Sequence, residues 1–335
     1  MGEFRDHPLK KVIRERWCRP LIKFIHDTLQ YKFVYLGLPG PLALDLLNWL
    51  EYIDEVIAFQ CRDYPKPSSI GQPRDKVLEL EEKLREFERQ RKLSTFSVYD
   101  GYIEEVILRG RDTNGNEFKQ DDIVTIYNLD FCNGITVPLA VKDDKGNIQK
   151  LYKSEAIRKL LELQKDVSSL RRSKKFVMFL TIHSNFWDEE AKRFVAQTQE
   201  VELQNYINSL SKLHGWHKSV RLLKVYIYDI IKNFFCRCDF TPEFSPVIYY
   251  KGAGKNNENW LMLFTVIGAL NKQISSIAPC LQNSQGFLNQ KFLTIKKNKL
   301  SLMAIPGRSE ADGPQESVAS FQNSECYKQL WLIKK

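Results

Sequence analysis

The feature that most constrains the fold is an apolar strand that runs into a tight glycine and proline turn. It lies at residues 33–41, with the sequence FVYLGLPGP, and a second apolar segment follows a helical stretch at residues 53–59. A strand, a turn, an amphipathic helix and a second strand form the opening unit of a doubly wound sheet. Backbone amides at the start of such a helix, and glycines that allow close approach, form a site for a nucleotide-like ligand. The turn therefore predicts an α/β fold and the position of a ligand site.

Hydrophobic periodicity predicts five strands that alternate with helices. The strands are predicted at residues 32–37, 54–60, 95–99, 122–127 and 176–182. The main helices are predicted at residues 8–30, 41–52, 74–92, 154–170, 187–213 and 218–235. An antiparallel hairpin is predicted to follow at residues 245–250 and 260–269, while the prolines of residues 64–73 predict a loop. This order predicts an α/β protein with a doubly wound, mainly parallel sheet and a C-terminal antiparallel hairpin.

The chain is long enough for one large domain with an addition. Residues 1–270 are predicted to form a Rossmann-like domain preceded by an N-terminal helix, and residues 271–335 a basic C-terminal extension. The low-complexity segment at residues 306–320 predicts a mobile loop. No stretch reaches the roughly 18 apolar residues of a membrane span. The seven scattered cysteines favour buried thiols in a reduced, cytoplasmic protein without membrane contact.

The positive charge is concentrated in the C-terminal half. Residues 1–150 carry a net charge of −2 and residues 151–335 carry +11. The densest basic runs are residues 171–175 and 296–299. Such a basic surface suits a polyanion, which predicts nucleic acid as a partner of this half. The alternative, which the sequence leaves open, is that these residues are solvated helix ends and loops.

The predicted order of five strand–helix units and an antiparallel hairpin resembles the class I S-adenosylmethionine-dependent methyltransferase fold. The resemblance covers roughly residues 20–270 and depends on element order, spacing and strand-end loops. It implies a methyltransferase-like three-layer sandwich, S-adenosylmethionine as the cofactor and methyl transfer as the activity. Together with the basic C-terminal half, it implies nucleic acid as the substrate.

In this family an acidic residue opens the glycine-rich turn that wraps the methionine part of the cofactor. Tyr35 stands at the acidic position and Gly37 at the first glycine, while Pro39 and Gly40 replace the later glycines. Proline lacks an N–H group, so Pro39 and Pro41 remove two donors that could have reached a ligand. The alternative is a strand-to-helix turn that binds no ligand.

The resemblance assigns further cofactor contacts to the loops after the second and third strands. Gln60 stands where the family places a ribose-binding acid, with Asp63 as a fallback if the strand ends later. Asp100 and Tyr102 match the loop that lies along the adenine ring, where they would accept from its amine and cover its face. Asp100 is also a good residue for a helix N-cap, and the two roles are compatible.

The fourth strand end is where the resemblance places the chemistry. Asn128 would accept a hydrogen bond from a target amine, Phe131 would stack on a base, and Asp130 would act as a base or orient the substrate. The segment keeps the asparagine and the aromatic residue of amino-group methyltransferases but lacks their two prolines. A register with Asp130 in the leading position, or a purely structural turn, stays open. His183 is a secondary acid–base candidate.

Two hypotheses follow from these residues. The first is a methyltransferase acting on nucleic acid, which Asp100 and the segment at residues 128–131 favour. The second is a cofactor-degenerate, methyltransferase-like binding module for nucleic acid or a protein, which Tyr35, the prolines of the turn and Gln60 favour. The pairs His214 and His217, and Cys236 and Cys238, lack the neighbours that a metal site needs.

Overall fold

A computed structural model describes the chain at residues 7–62, 75–131, 134–142, 146–169, 172–184, 188–252, 260–270, 284–290, 292–296 and 299–303. The predicted loops at residues 64–73 and 306–320 lie outside these described residues.

Twelve strands occur in the described part of the chain. They are β1 Phe33–Gly37, β2 Ile53–Gln60, β3 Thr95–Asp100, β4 Ile126–Asp130, β5 Leu139–Lys142, β6 Ile148–Leu151, β7 Lys175–His183, β8 Phe240–Phe244, β9 Ile248–Lys251, β10 Trp260–Leu270, β11 Phe292–Lys296 and β12 Lys299–Met303. The main sheet has the order β12-β11-β9-β10-β7-β4-β1-β2-β3, and β8 pairs with β10. Strands β5 and β6 form a separate hairpin.

The helices of the described residues lie on both faces of the sheet. They are α1 Pro8–Ile13, α2 Arg19–Leu29, α3 Leu44–Trp49, α4 Lys76–Arg89, α5 Ile103–Arg109, α6 Lys153–Asp166, α7 Asp188–Gln197, α8 Val201–Ser209, α9 Gly215–Arg237 and α10 Ser284–Asn289. A π-helical turn at Arg14–Cys18 joins α1 to α2. None of these helices is long and apolar enough to cross a membrane.

Alternating side chains of the parallel strands divide the core between the two faces. Phe33 and Tyr35 of β1 pack with Trp17 and Ile22 of the N-terminal helices. Leu36 of β1 belongs to the opposite core, which helices α5, α6 and α9 cover. Burial of each such side chain stabilises the fold by about 1.5–3 kcal/mol. The result is the three-layer, doubly wound sandwich with a C-terminal antiparallel hairpin that the sequence predicts.

The C-terminal hairpin holds one strand that the sequence did not predict. β10 is long enough to pair with β9 through residues 260–263 and with β8 through residues 266–270. β8 contains Pro242, which interrupts the pattern of a strand but is tolerated where a ladder hydrogen bond is absent. β11 pairs with β9, so the described part of residues 271–335 continues the same sheet.

The fourth strand and the helix after the fifth strand differ clearly from their predictions. The fourth strand, expected at residues 122–127, is observed at Ile126–Asp130. The preceding Val124 gives its backbone N–H to the side chain of Gln164 on α6, and its carbonyl accepts from the same side chain. The helix expected at residues 187–213 is divided into α7 and α8, and the hydroxyl of Thr198, just after α7, donates to the carbonyl of Phe194.

Candidate functional site

The predicted site residues lie at the carboxyl edge of the parallel strands. Gly37, the last residue of β1, lies opposite Asn128 of β4. Gln60 and Asp100, the last residues of β2 and β3, lie opposite each other. Carboxyl ends of parallel strands form the usual ligand-binding edge of an open α/β sheet. The fold therefore brings the candidate residues of four strands to one edge.

The shifted end of β4 changes the surroundings of the catalytic candidates. Asn128 lies within the strand, and Asp130 is its last residue. Since side chains alternate along a strand, Asn128 and Asp130 share a face and Phe131 lies on the other. Phe131 is only 3% exposed and belongs to the core beneath α5 and α6. Its ring is therefore covered in this arrangement.

A buried ion pair fixes the segment after β4. The ammonium of Lys153 lies 3.3 Å from the carboxylate of Glu104 and 5.8 Å from the ring centre of Phe131. The same ammonium donates a 3.1 Å hydrogen bond to the carbonyl of Val137. Lys153 therefore joins α5, α6 and the segment that follows the predicted catalytic residues.

Six polar side chains meet on the face of the sheet that carries Asn128. We name them the edge cluster: Lys10, Arg14, Tyr35, Asp45, Asn128 and Asp130. The amide nitrogen of Asn128 lies 3.1 Å from the hydroxyl of Tyr35 and 2.8 Å from a carboxylate oxygen of Asp45. The guanidinium of Arg14, in the π-helical turn, lies 3.4 Å from the other oxygen of Asp45. The N-terminal helix thus contributes cations to the edge.

Lys10 is the second cation of the edge cluster. Its ammonium forms an ion pair and a short hydrogen bond with the carboxylate of Asp130. Burial lowers the pKa of Lys10, but the charge of Asp130 and the hydrogen bond to it, together with nearby groups, outweigh this effect and the net pKa is raised. The ammonium form is therefore favoured, and Asp130 has a charged partner within the chain.

Burial dominates the titration of the remaining groups. It raises the pKa of the Asp45 carboxyl, against the opposing charge of Arg14, and Asp130 raises it further. Burial also raises the pKa of the Tyr35 hydroxyl, with a smaller contribution from Asp45. Tyr35 thus provides a neutral hydrogen-bonding group where the family resemblance places an acid.

A cavity of about 30 Å³ adjoins the edge cluster, between Asp45, Asn128, Thr181 and Tyr250. This volume holds one or two water molecules. Pockets for drug-sized ligands and cofactors usually measure about 300–1,000 Å³. The cavity is therefore too small for a cofactor in this arrangement.

The turn after β1 is packed against β4. The backbone N–H of Leu38 donates a 3.0 Å hydrogen bond to the carbonyl of Asn128. A Cβ atom at Gly37 would overlap the same carbonyl oxygen. Gly40 and Ala43 adopt left-handed backbone conformations, with φ of 66° and 48°, so that α3 begins only at Leu44. The glycine at position 37 is therefore required by the contact between two strands.

The candidates on β2 and β3 also have partners within the chain. Gln60 donates a 3.0 Å hydrogen bond to the carbonyl of Cys61. The carboxylate of Asp100 lies 3.0 Å from the guanidinium of Arg62 and 3.4 Å from the amide of Asn114. Asp100 does not cap α5, so that expectation is wrong. The N-cap of α5 is Tyr102, whose side chain is 52% exposed.

These residues do not fit S-adenosylmethionine as they are arranged here. The position for a ribose-binding acid holds Gln60, and the adenine-contact candidate Asp100 is paired with Arg62. The amide of Leu38 in the turn is used by Asn128. A ligand site of this kind needs unsatisfied donors and acceptors that point at the ligand.

The remaining sequence candidates are His183 and the histidine and cysteine pairs. His183 ends β7 and is half-buried, which lowers its pKa. Within the described residues, no group of three or more His, Cys, Asp or Glu side chains could hold a metal ion. The expectation of thiols is wrong at Cys236, which is disulfide-bonded, and holds for Cys18, Cys61 and Cys238.

Sequence reasoning missed Lys10, Arg14 and Asp45. A signal for the first two exists, because they stand four residues apart in the N-terminal helix and so share one of its faces. Asp45 follows the predicted turn on α3. The residue pattern of the N-terminal helix does not show that this helix crosses the carboxyl ends of β1 and β4.

No protein-family model matches this chain, and no curated protein matches it in sequence. Solved structures do match. The match to the SAM-dependent methyltransferase from Agrobacterium tumefaciens has 11% sequence identity and a TM-score of 0.36, and it covers 80% of this chain and 64% of that one. Magnesium protoporphyrin IX methyltransferase from Synechocystis PCC 6803, with bound SAH, gives 8% identity, a TM-score of 0.34 and coverages of 79% and 90%.

A third match is M. jannaschii TYW2 in complex with AdoMet, at 8% identity and a TM-score of 0.33, covering 76% of this chain and 78% of that one. With TM-scores below 0.5, the structural conclusion depends on the topology of this chain itself. Strands β3-β2-β1-β4-β7 are parallel, and β10 and β9 add the antiparallel hairpin. The fold is methyltransferase-like.

Proposed function

We propose that this chain is a methyltransferase-like binding protein whose carboxyl-edge site is cofactor-degenerate. The observation that supports this most directly is the pairing of Asn128. Both N–H groups of its amide are used, one by Tyr35 and one by Asp45. A carboxylate only accepts hydrogen bonds, so Asp45 fixes the amide with its nitrogen turned inward.

The charge balance of the edge cluster supports the same proposal. Asp130 would need a free carboxylate to act as a base, and here it is paired with Lys10. Asp45 is paired with Arg14, so two cations of the N-terminal helix stand opposite two carboxylates of the edge. The Arg14–Asp45 pair is buried, and removing one partner of a buried pair is strongly destabilising, by about 3–5 kcal/mol, so this part of the cluster stays closed.

The cofactor claim is tested by melting the full chain with S-adenosylmethionine or S-adenosylhomocysteine at millimolar concentration. A ligand that binds only the folded state must raise the melting temperature. We expect no shift with either compound. A saturable rise would overturn the proposal and support the alternative, an active methyltransferase. In that alternative, methyl transfer to an amine depends on Asn128, Asp130 and Phe131. The cofactor would then be contacted by Tyr35, Gly37, Pro39, Gly40, Gln60, Asp100 and Tyr102.

We further propose nucleic acid as the partner, because the net charge of +11 in residues 151–335 favours a polyanion. One of the two basic runs contributes to the fold instead. Arg172 contacts the carboxylates of Glu55, at 3.1 Å, and of Asp122. Exposed cations on α7 and after α8, namely Lys192, Arg193 and Lys212, provide the candidate surface.

The nucleic-acid proposal is tested by binding fluorescent single-stranded and duplex oligonucleotides over a range of salt concentrations. Phosphate contacts release counterions, so log K should fall linearly with log[salt]. Replacing both Lys192 and Arg193 by glutamate should reduce the affinity and the salt slope, whereas Lys92→Glu, on the N-terminal half, should change neither. A flat salt response would remove nucleic acid as the partner.

A further inference from the structure

The ammonium of Lys10 is held at the edge cluster as a ligand would be. Asp130 accepts its hydrogen bond, and Lys10, Asp45, Asp130 and Tyr250 line the same small cavity. Tyr250 lies on β9, so the groups around this ammonium come from β4, β9 and α3. Three separate elements of the methyltransferase-like fold therefore converge on one cation from the N-terminal helix.

This ion pair is accessible, unlike the neighbouring one. The side chains of Lys10 and Asp130 are 31% and 25% exposed, whereas those of Arg14 and Asp45 are 7% and 17% exposed. This pair is part-buried, and an ion pair contributes less to stability the more water can reach both partners. Another ammonium in solution can therefore compete with Lys10 without first breaking the buried pair of Arg14.

The helix that carries Lys10 has a natural break. α1 ends at Ile13, and the π-helical turn at Arg14–Cys18 separates it from α2. Mid-helix π-turns change the hydrogen-bond pattern locally and are frequent at functional sites. Leu21, Ile22 and Ile25 of α2 are at most 1% exposed, while only Val12 and Ile13 of α1 are buried. α1 is therefore less deeply packed on the sheet than α2.

We propose that Asp130 and Tyr250 form a receptor for a primary alkylammonium group, with Lys10 as its built-in occupant and α1 as a latch over the edge cluster. An ammonium from a partner, either a lysine side chain or a polyamine, would take the place of Lys10 as α1 is displaced. This inference depends on the proposed function in one respect: the carboxyl edge binds no cofactor, so a cation can occupy it.

Chemical rescue tests the receptor. In the full chain, Lys10→Ala removes the occupant, and n-butylammonium chloride is then titrated while the melting temperature is followed. We expect a saturable rise of about 2 °C or more that wild type lacks. Lys11→Ala is the matched control on the same helix, and tetramethylammonium, which has no N–H donor, should not rescue. An absent rise, or an equal rise in Lys11→Ala, would overturn the receptor.

Two comparisons identify the source of the ammonium. Nα-acetyl-lysine amide represents a lysine of a partner protein and putrescine represents a polyamine. Tighter binding of the first to Lys10→Ala supports a protein partner, and tighter binding of the second supports a polyamine. In the variant that also carries Asp130→Asn, neither compound should bind, and retained binding would contradict the role of Asp130.

Amide hydrogen exchange tests the latch. Both Lys10→Ala and Asp130→Asn should speed exchange of the amides of residues 11–13 by about two- to fivefold and leave the amides of residues 21–29 unchanged. Asp130→Asn provides this test even if Lys10→Ala folds poorly. Equal acceleration in both ranges would show one rigid helix and overturn the latch. Since the cofactor titration uses wild type, a response to S-adenosylmethionine would refute the proposed function without affecting the ammonium experiment.

Discussion

The side-chain amide of Asn128 on β4 donates a 2.8 Å hydrogen bond to the carboxylate of Asp45 on α3. The bond connects the predicted catalytic strand with the helix that follows the predicted cofactor turn. Because Arg14 approaches the same carboxylate, the N-terminal helix is part of this connection. The carboxyl edge is therefore closed by residues of the chain itself.

Asn128→Asp should destabilise the protein more than Asn128→Ala. The alanine variant removes the amide that donates to Asp45 and Tyr35, with an expected loss of about 1–3 kcal/mol. The aspartate variant adds a like charge beside Asp45, which increases the loss. Urea unfolding measures both. Exchanging the two groups, with Asp45→Asn in the Asn128→Asp chain, should recover most of the stability, and no recovery would contradict the pairing.

Gly37→Ala should lower stability by about 1–3 kcal/mol through overpacking against the backbone of Asn128. A backbone oxygen between two paired strands cannot move away as the end of a flexible side chain can. Leu47→Ala, at a side chain of α3 that is 45% exposed, is the control and should change little. Equal denaturation midpoints for Gly37→Ala and wild type would show that β1 and β4 can separate.

Lys153→Met should destabilise the protein by about 3–5 kcal/mol, because it leaves the carboxylate of Glu104 buried without its partner. Replacing the partner as well, by Glu104→Leu, should recover much of the loss. A double-mutant cycle by urea unfolding measures the coupling. Additive losses in the two single variants would show that the pair contributes no interaction of its own.

Lys224→Met should loosen the segment around α10. The buried ammonium of Lys224 donates hydrogen bonds of 2.8, 3.2 and 2.9 Å to the carbonyls of Phe287, Leu288 and Gln290. Methionine fills similar space but removes the donor that joins these three carbonyls. Hydrogen exchange of residues 286–290 and 292–295 should accelerate, and unchanged exchange there would argue against this role. Lys218→Met, on the same helix, is the control.

Glu243→Gln should stabilise the protein above neutral pH. Burial raises the pKa of the Glu243 carboxyl on β8 from 4.5 to about 7. Between these values the folded state binds more protons than the unfolded state, so stability falls as the pH rises. At pH 8 the variant should therefore be more stable than wild type, by about 1 kcal/mol after allowance for solvent screening.

The pH series for Glu243→Gln includes its own control, since the two proteins should converge near pH 4, where Glu243 is protonated in both states. Glu82→Gln, an exposed position on α4, should show no such dependence. A constant difference between Glu243→Gln and wild type from pH 4 to 8 would contradict the titration of this carboxyl.

Local patterns predicted most elements of the sheet because strands and helices differ in the period of their apolar residues. β1, β2, β3 and β7 begin and end within one residue of the prediction. β4 was misplaced because residues 123–125 are as buried as a strand. Their placement depends partly on Gln164, which is about 40 residues away in the chain. β8 was not predicted because it contains Pro242, and whether a strand can contain a proline depends on its pairing, here with β10.

The sequence by itself determined the order of the strands, the turn at Gly37 and the edge to which Asn128 and Asp130 belong, because these depend on periodicity and on short-range backbone preferences. Only the tertiary structure decided what those two side chains contact. Lys10 is 120 residues from Asp130 in the chain, and Asp45 is 83 residues from Asn128. Pairings over such separations arise from the docking of a helix on the sheet, which no local pattern of residues encodes.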